Sequence, residues 1–351
     1  MKLPHIHPLD ALLVFVPAAV AVHLAWPEQA TAAFVLSCLA VVPLAGLMGR
    51  ATEAVAARVG IGLGGILSAA LGNAAELILA LAALRAGELE VVKASLTGSI
   101  IGNLLLVFGA AAVVGGARRD KQVFNVTAAG AGNGTLYLAA VALVVPALLH
   151  HGADPHPETR VPTSIAIAVV LLVLYVLSLL FSLRTHAHLF EADAEAAQET
   201  HWSMRRAILV LVGATVAVAV VSEILVASLE GAAHTLGLSR LFVGVIVVAV
   251  VGNAAEHSSA VLMAMRDKMD LALQIAVESS KQVALFVAPV LVFAGLLLGR
   301  PMDLIFTPLE VVAVGVSTGA ITLVALDGES NWLEGAMLLA VYAVLGVAFF
   351  F

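Results

Sequence analysis

The sequence predicts an all-α integral membrane protein with about eleven transmembrane helices, namely one N-terminal helix followed by two inverted repeats of five helices. Three observations favour this fold class: an apolar composition, apolar runs of about 20 residues each, and a five-residue motif that occurs twice. Hydrophobic residues make up 62% of the chain and charged residues 12%, and the mean hydropathy is +1.07. Soluble domains are about half apolar and a quarter charged, so the composition excludes an ordinary soluble protein.

The predicted helices follow the apolar runs in windows of about 19 residues. The first run lacks a small-residue cleavage site, so we expect it to remain as a spanning helix. The helices cover residues 9–26, 30–49, 60–86, 90–116, 124–149, 162–183, 204–229, 238–265, 269–299, 303–325 and 332–351. The predicted domains are the N-terminal helix in 1–29, the first repeat in 30–183, an acidic linker in 184–203 and the second repeat in 204–351.

The linker is the one distinctly hydrophilic connection. Its acidic residues lie among alanines, which favour a short surface helix; they are Glu191, Asp193, Glu195 and Glu199. A solvated linker and a cation-sensing segment are both open readings of this pattern.

The basic residues predict the orientation, because cytoplasmic loops carry an excess of Lys and Arg. With the N-terminus inside, eleven basic residues fall in inner segments and four in outer segments, while Lys93 and Lys281 lie within helices. We therefore expect a cytoplasmic N-terminus and a cytoplasmic linker. The short N-terminus and the lack of a long tail favour the inner membrane of a bacterial cell as the host membrane.

The repeated motif is Gly-Asn-Ala-Ala-Glu, which occupies residues 72–76 and 252–256, an offset of 180 residues. The same offset places Ser99 opposite Ser279 in the following helix. An odd number of spans in each repeat forces the two copies into opposite orientations. This inverted arrangement is typical of secondary transporters, whose substrates bind near the midplane where the repeats meet.

The motif residues predict a cation site. A carboxylate inside an apolar helix costs about 2.5–3.5 kcal/mol and usually serves a function, and Glu76 and Glu256 are such residues. Asn73 and Asn253 precede them by three residues and so share a helix face with them. The glycine that opens each motif permits local unwinding, which would offer backbone carbonyl oxygens to an ion.

The helix after each motif adds further oxygen-bearing side chains. Ser99 and Asn103 follow the first motif, and Ser279 and Gln282 follow the second. Carboxylate, amide and hydroxyl oxygens suit a hard cation, and Ca²⁺ accepts six to eight oxygen ligands in flexible geometry. Two glutamates would balance one divalent ion.

Four other titratable residues are candidates for a proton pathway. Glu53, Glu223 and Glu230 lie near helix ends, where capping or snorkelling is an equally good interpretation. His257 follows the second motif directly, and a histidine can titrate near neutral pH.

At these motifs the sequence resembles the calcium/proton exchanger family of the cation/Ca²⁺ exchanger superfamily. The resemblance covers residues 72–108, 222–295 and 331–335. It implies that the two motif glutamates bind Ca²⁺, assisted by backbone carbonyls and by neighbouring amides and hydroxyls. The residues implicated are Asn73, Glu76, Ser99, Asn103, Asn253, Glu256, Ser279 and Gln282.

Two residues depart from the family pattern. Glu278 stands where a glycine is usual, and Lys281 stands where an apolar residue is usual. Their spacing of three allows an ion pair within one helix. If Lys281 instead pointed toward Glu256, it would oppose a divalent cation.

The predicted function is secondary active antiport of Ca²⁺ against H⁺ by alternating access, with Glu76 and Glu256 as the shared site. Coupling to Na⁺, transport of Mn²⁺ and, less well supported, a cation channel are the alternatives. The sequence contains no Gly-Lys-Ser/Thr nucleotide-binding loop and no catalytic grouping in its apolar helices. We therefore expect no enzyme activity, no cofactor apart from the transported ions and no nucleic-acid partner, whereas a homo-oligomer is left open.

Overall fold

The computed structural model describes residues 8–59, 61–150, 156–186 and 202–351. The acidic residues of the predicted linker lie outside the described residues. Two short strands, β1 (Gln122–Val123) and β2 (Glu329–Ser330), pair antiparallel. The helices in chain order are α1 Asp10–Ala25, α2 Ala30–Val59, α3 Ile61–Leu71, α4 Ala74–Ala86, α5 Leu89–Gly116, α6 Val126–Leu149, α7 Pro157–Thr185, α8 Met204–Leu236, α9 Arg240–Gly252, α10 Ala254–Met265, α11 Met269–Leu297, α12 Pro308–Val324 and α13 Trp332–Phe350.

The described helices fit a membrane protein. Seven of them are long and apolar enough to cross a membrane, and the number is nine if each of two bent pairs counts as one span. The bent pairs are α3 with α4 and α9 with α10. The two shorter helices, α1 and α12, are also apolar. The predicted all-helical membrane fold is confirmed, and the count of eleven spans stays a prediction.

Several predicted helix ends are wrong. Helix α2 continues to Val59 rather than ending at residue 49, and α8 continues to Leu236 rather than residue 229. Charged residues lower the hydropathy of these ends, but Ala, Arg and Glu still favour helix. Helix α12 begins at Pro308 rather than residue 303, because Thr307 caps it and Pro308 takes its first position.

Helices α5 and α11 lie at the centre of the bundle. In the most apolar stretch of α5, 78% of the residues are buried, and in those of α11 and α2 the share is 61%. For α7 and α13 the share is 22%. The central helices pack through side chains such as Leu104, Phe108 and Leu285, which are almost fully buried, whereas the outer helices expose apolar surface suited to lipid.

The bent pairs break at the repeated motifs. Helices α3 and α4 meet at an angle of 41°, with Gly72 and Asn73 between them. Helices α9 and α10 meet at 61°, and Asn253 is the residue between them. Both asparagines have non-helical backbone angles, with φ near −95° and ψ of 22° for Asn73, and −98° and 8° for Asn253. The continuous helices predicted for 60–86 and 238–265 are therefore interrupted, at the glycine-containing motifs where unwinding is expected.

The paired strands connect the segment after α5 to the segment before α13. Gln122 pairs with Ser330 and Val123 pairs with Glu329. The turn before β2 contains Gly328, whose φ of +75° lies in the left-handed region that favours glycine. These strands hold the end of the central helix α5 beside the start of the outer helix α13.

Candidate cation site

Each motif places its glutamate at the start of a helix. Asn73 precedes the first residue of α4, and Glu76 lies in the first turn of that helix. Asn253 and Glu256 have the same positions at the start of α10. Negative charge is favourable near a helix N-terminus, where unpaired backbone N–H groups collect. Both breaks therefore present a carboxylate and an amide at the same point.

The carboxylate of Glu76 is held by both halves of the chain. Its Oε1 atom accepts a hydrogen bond from the Ser99 hydroxyl at 2.7 Å and another from the Asn253 amide Nδ2. The same Nδ2 also donates to the Ser99 Oγ atom at 2.9 Å. By contrast, Oε2 of Glu76 is buried and has no hydrogen-bond partner among the described residues. A buried acceptor without a partner is unusual, and this oxygen is placed to accept from a donor or to bind a cation.

The remaining polar residues extend this network across the two halves. The Asn73 amide Nδ2 donates to Gln282 Oε1 at 2.6 Å, and the Ser279 hydroxyl donates to Asn73 Oδ1 at 3.4 Å. The Asn103 amide Nδ2 donates to Ser279 Oγ at 2.9 Å and to Asn253 Oδ1 at 3.4 Å. Each motif asparagine is thus bonded to side chains from the opposite half.

Glu256 stands apart from this network. In the described part of the chain, its carboxylate makes no hydrogen bond to another side chain, although it is half-buried. It is close enough to Glu76 for the two charges to interact. Two like charges held near each other in a partly buried site are stabilised by a compensating cation or proton.

A cavity of about 20 Å³ borders Glu76 and Ser99. Gly252, at the second break, also lines it. A volume of this size holds about one water-sized group. Ser95 lines the cavity as well, but its hydroxyl is bonded to the Val92 carbonyl of its own helix at 2.8 Å.

The donor set is chemically that of a hard cation. Carboxylate, amide and hydroxyl oxygens are the ligands that Ca²⁺ prefers, in flexible arrangements. In the described residues, no group of three or more His, Cys, Asp or Glu side chains is placed to hold a metal ion. The arrangement therefore differs from the nitrogen- and sulfur-rich sites that hold zinc.

Comparison with known families matches most of the chain. The model of the family described as "Sodium/calcium exchanger protein" matches residues 29–184 and 206–351. This chain belongs to the sodium/calcium exchanger protein family. The exchanger resemblance predicted from the motifs is confirmed.

Individual members of the family are similar to this chain over nearly its whole length. The Ca(2+)/H(+) antiporter of Aphanothece halophytica is 47% identical over 97% of this chain and 95% of its own. The Ca(2+)/H(+) antiporter of Synechocystis sp. is 48% identical over 97% of this chain and 96% of its own. The solved structure described as "Structure of native YfkE" is 40% identical, with a TM-score of 0.85, and covers 97% of this chain and 99% of that one.

Of the four residues predicted for a proton pathway, one contacts the hydrogen-bond network of the site and three lie elsewhere. His257 touches the network, since its Nε2 atom lies 3.2 Å from Asn103 Oδ1. Glu223 pairs with Arg85 on the exposed surface, and Glu230 pairs with Arg240. Glu53 is exposed near the end of α2. These three glutamates are not brought to the site, and a role on an access route stays a prediction.

The two atypical residues pair with each other. The Lys281 ammonium donates to Glu278 Oε1 at 2.5 Å within α11, and the Lys281 side chain is buried. This is the first of the two arrangements that the sequence leaves open. Because its charge is compensated within α11, Lys281 does not stand as an unpaired positive charge beside Glu256.

Sequence reasoning missed Tyr175 of α7. Its hydroxyl donates to the Ala69 carbonyl at 3.1 Å, one turn before the first break. A tyrosine in an apolar helix signals such a contact, because its hydroxyl needs a partner when buried.

Proposed function

We propose that this protein exchanges Ca²⁺ for H⁺ across a membrane, with Glu76 and Glu256 as the binding site that the two ions share. The observation that carries the proposal is the buried Oε2 of Glu76, which has no hydrogen-bond partner among the described residues and lies beside Gly252 of the second helix break. The relatives support Ca²⁺ and H⁺ as the exchanged ions, since those from Aphanothece halophytica and Synechocystis sp. are named Ca(2+)/H(+) antiporters.

The ion is bound by oxygens from both halves. Oε2 of Glu76 and the carboxylate of Glu256 supply charge equal and opposite to that of Ca²⁺. The amide oxygens of Asn73, Asn253 and Gln282 accept hydrogen bonds from neighbouring side chains in this structure. A bound cation competes for these oxygens, and the donors turn away when it arrives.

Competition for the carboxylates couples the two ions. A carboxylate shielded from water needs a compensating charge, which either Ca²⁺ or protons supply. The site therefore changes the side it faces with either Ca²⁺ or protons bound, and a proton gradient drives Ca²⁺ in the opposite direction. His257 contacts Asn103 of the network and is the best-placed residue to carry protons to it.

Alternating access follows from the two breaks. We call α3 and α9 the half-helices, because each covers only the part of a span that precedes its break. The basic residues favour a cytoplasmic N-terminus in the inner membrane of a bacterial cell. With that orientation α3 lies on the cytoplasmic side of the site and α9 on the outer side, and each closes the site toward its own side in turn.

Radiolabelled Ca²⁺ uptake into liposomes under an imposed pH gradient tests the proposal. Wild-type protein should accumulate Ca²⁺ only with the gradient, and Glu76→Gln and Glu256→Gln should each abolish uptake at the Ca²⁺ concentration that half-saturates the wild type. Glu90→Gln is the matched control, because Glu90 lies in the first turn of α5 but is exposed. Uptake that survives both site substitutions would remove the two glutamates from the mechanism.

The same vesicles separate the rival functions. Replacing the pH gradient with a Na⁺ gradient tests sodium coupling, and adding Mn²⁺ as a competitor tests selectivity, because oxygen ligands alone discriminate poorly among hard cations. A channel would pass Ca²⁺ down its own gradient with no counter-ion. Uptake driven by Na⁺ alone, or passive flux at the wild-type rate, would overturn Ca²⁺/H⁺ exchange.

A further inference from the structure

Two equivalent backbone carbonyls have different partners in the two halves. Ala69 and Ala249 are separated by the repeat offset of 180 residues, and each lies four residues before a motif asparagine. The Ala249 carbonyl accepts a hydrogen bond from the Asn253 amide Nδ2 at 2.9 Å. The Ala69 carbonyl accepts instead from the Tyr175 hydroxyl at 3.1 Å. The Asn73 amide is then free to bond Gln282 in the cation site.

Tyr175 has a counterpart in the second half. The sequence Leu-Leu-Val-Leu-Tyr at 171–175 of α7 recurs as Leu-Leu-Ala-Val-Tyr at 338–342 of α13, the last helix of each half. The hydroxyl of Tyr342 is buried and has no hydrogen-bond partner in the described part of the chain. A buried hydroxyl without a partner costs free energy and calls for an explanation.

The two half-helices are also packed differently. Helix α9 lies along α5, and a Cβ atom on Gly98 of α5 would come within 2.0 Å of the Val245 carbonyl of α9. The counterparts of Gly98 and Val245 at the repeat offset are Glu278 of α11 and Gly65 of α3. Gly65 packs instead against Leu183 at the end of α7, where a Cβ would meet a Leu183 methyl carbon at 2.5 Å.

These differences belong together. Helix α9, which packs on α5, has its Ala249 carbonyl bonded by Asn253, and the Tyr342 hydroxyl has no partner among the described residues. The half-helix that packs on α2 and α7 instead has its carbonyl bonded by its tyrosine. The two halves share the Gly-Asn-Ala-Ala-Glu motif and a tyrosine in the last helix, and they differ at the packing positions, where Glu278 stands opposite Gly98 and Gly65 opposite Val245.

We propose that Tyr175 and Tyr342 are reciprocal latches of the transport cycle, an inference that rests on the exchange function proposed above. Each tyrosine hydroxyl binds the carbonyl of its half-helix, Ala69 or Ala249, only while that half-helix is away from its central helix. In the opposite state Tyr342 binds Ala249, Tyr175 is released, and Gly65 of α3 faces Glu278 of α11. The glycine leaves room there for the Glu278 side chain.

The exchange of partners connects the half-helices to the ion site. When its tyrosine holds the carbonyl, the motif asparagine donates its amide to the cation site, as Asn73 does to Gln282. When the half-helix packs, that amide also donates to the carbonyl one turn earlier, as Asn253 does while it still donates to Glu76 and Ser99. The latches are positioning residues, because they act through Asn73 and Asn253 and do not contact the ion.

Tyr175→Phe and Tyr342→Phe test the latches, since each removes one hydroxyl and keeps the ring. Cys38, the one cysteine of the chain, is first replaced by serine. Ser68→Cys on α3 and Val248→Cys on α9, which are equivalent positions, are then labelled in separate variants with a membrane-impermeant maleimide from each side of reconstituted vesicles. Loss of one buried hydrogen bond shifts a two-state equilibrium by about threefold to tenfold.

Tyr175→Phe should therefore slow labelling at position 68 and speed it at position 248, and Tyr342→Phe should do the reverse. Changes in the same direction, or rates within twofold of the parent for both variants, would overturn the proposal. If Tyr175→Phe does not fold, the labelling rates of Tyr342→Phe alone test the proposal, because the shift predicted for Tyr342→Phe does not depend on Tyr175→Phe.

Labelling does not require ion flux, so the two proposals fail separately. Reciprocal shifts in a protein that moves no Ca²⁺ would retain the latches and reject Ca²⁺/H⁺ exchange. Unchanged labelling in a protein that exchanges Ca²⁺ for H⁺ would reject the latches alone.

Discussion

Replacing Glu76 by glutamine removes one charge from the cation site and keeps the shape of the side chain. The Ser99 hydroxyl and the Asn253 amide both donate to Oε1 of Glu76. The amide oxygen of the new glutamine must take that place, because an NH₂ group there would face two donors. Its NH₂ group then occupies the place of Oε2 and points a donor at the position where a cation binds.

The expected loss of Ca²⁺ affinity follows from the charge that the substitution removes. A unit negative charge and a divalent cation about 4 Å apart attract each other by about 8 kcal/mol at an effective dielectric constant of about 20. Desolvation of the ion and of the carboxylate offsets most of that attraction. A remainder of about 2.8 kcal/mol corresponds to a 100-fold loss of affinity. We therefore expect Glu76→Gln to raise the Ca²⁺ concentration for half-maximal uptake at least about 100-fold.

The assay is the Ca²⁺ dependence of uptake into proteoliposomes at a fixed pH gradient. Glu76→Asp keeps the charge and shortens the side chain, so its affinity should lie between those of wild type and Glu76→Gln. Glu90→Gln should match the wild type. A half-maximal concentration for Glu76→Gln within threefold of wild type would refute the assignment of Glu76 as a charged ligand.

Two further predictions concern packing. Glu278→Gln alone leaves the buried Lys281 ammonium unpaired and should cost about 3–5 kcal/mol of stability, whereas Glu278→Gln combined with Lys281→Leu should recover most of that loss. Thermal unfolding in detergent measures the stability of both variants. Equal unfolding midpoints for the single and the double variant would contradict the buried pair. Gly98→Ala places a Cβ 2.0 Å from the Val245 carbonyl and should lower transport at least about tenfold by separating α5 from α9. Gly102→Ala meets nothing within 4 Å and should keep transport near wild type, so equal loss in both variants would reject the packing argument.

Much of the fold could be predicted from composition and from the repeat. The apolar runs indicated the helices because a bilayer requires about 20 apolar residues per span. Hydropathy failed at the ends of α2 and α8, where charged residues continue a helix beyond the apolar stretch. It also missed the start of α12, although Thr307, Pro308 and Glu310 form a recognisable N-terminal signature: Thr307 and Glu310 make a capping box there.

The composition of the candidate site could also be predicted, but its connections could not. The repeat offset brought Glu76 and Ser99 into one predicted site, and the structure joins them by a hydrogen bond. That Asn253 of the other half also bonds Glu76 depends on how the halves pack in this conformation. The unequal bends of 41° and 61° depend on it too, and no pattern within one repeat specifies that difference.

Tyr175 shows a signal that sequence reasoning overlooked. The repeated Leu-Leu-x-x-Tyr pattern of α7 and α13 is as visible as the Gly-Asn-Ala-Ala-Glu motif once the two halves are aligned. Its offset is 167 residues rather than 180, because helices α6 and α7 are longer than their counterparts α12 and α13.

The most direct test of the central claim is proton movement driven by Ca²⁺. Proteoliposomes with equal pH on both sides and a pH indicator inside receive external Ca²⁺, and the internal pH is followed together with Ca²⁺ entry. Shared carboxylates predict that the interior becomes alkaline as Ca²⁺ enters, and that Glu76→Gln and Glu256→Gln abolish both signals together. Ca²⁺ entry at a constant internal pH, with the membrane potential clamped, would contradict a site that holds either Ca²⁺ or protons.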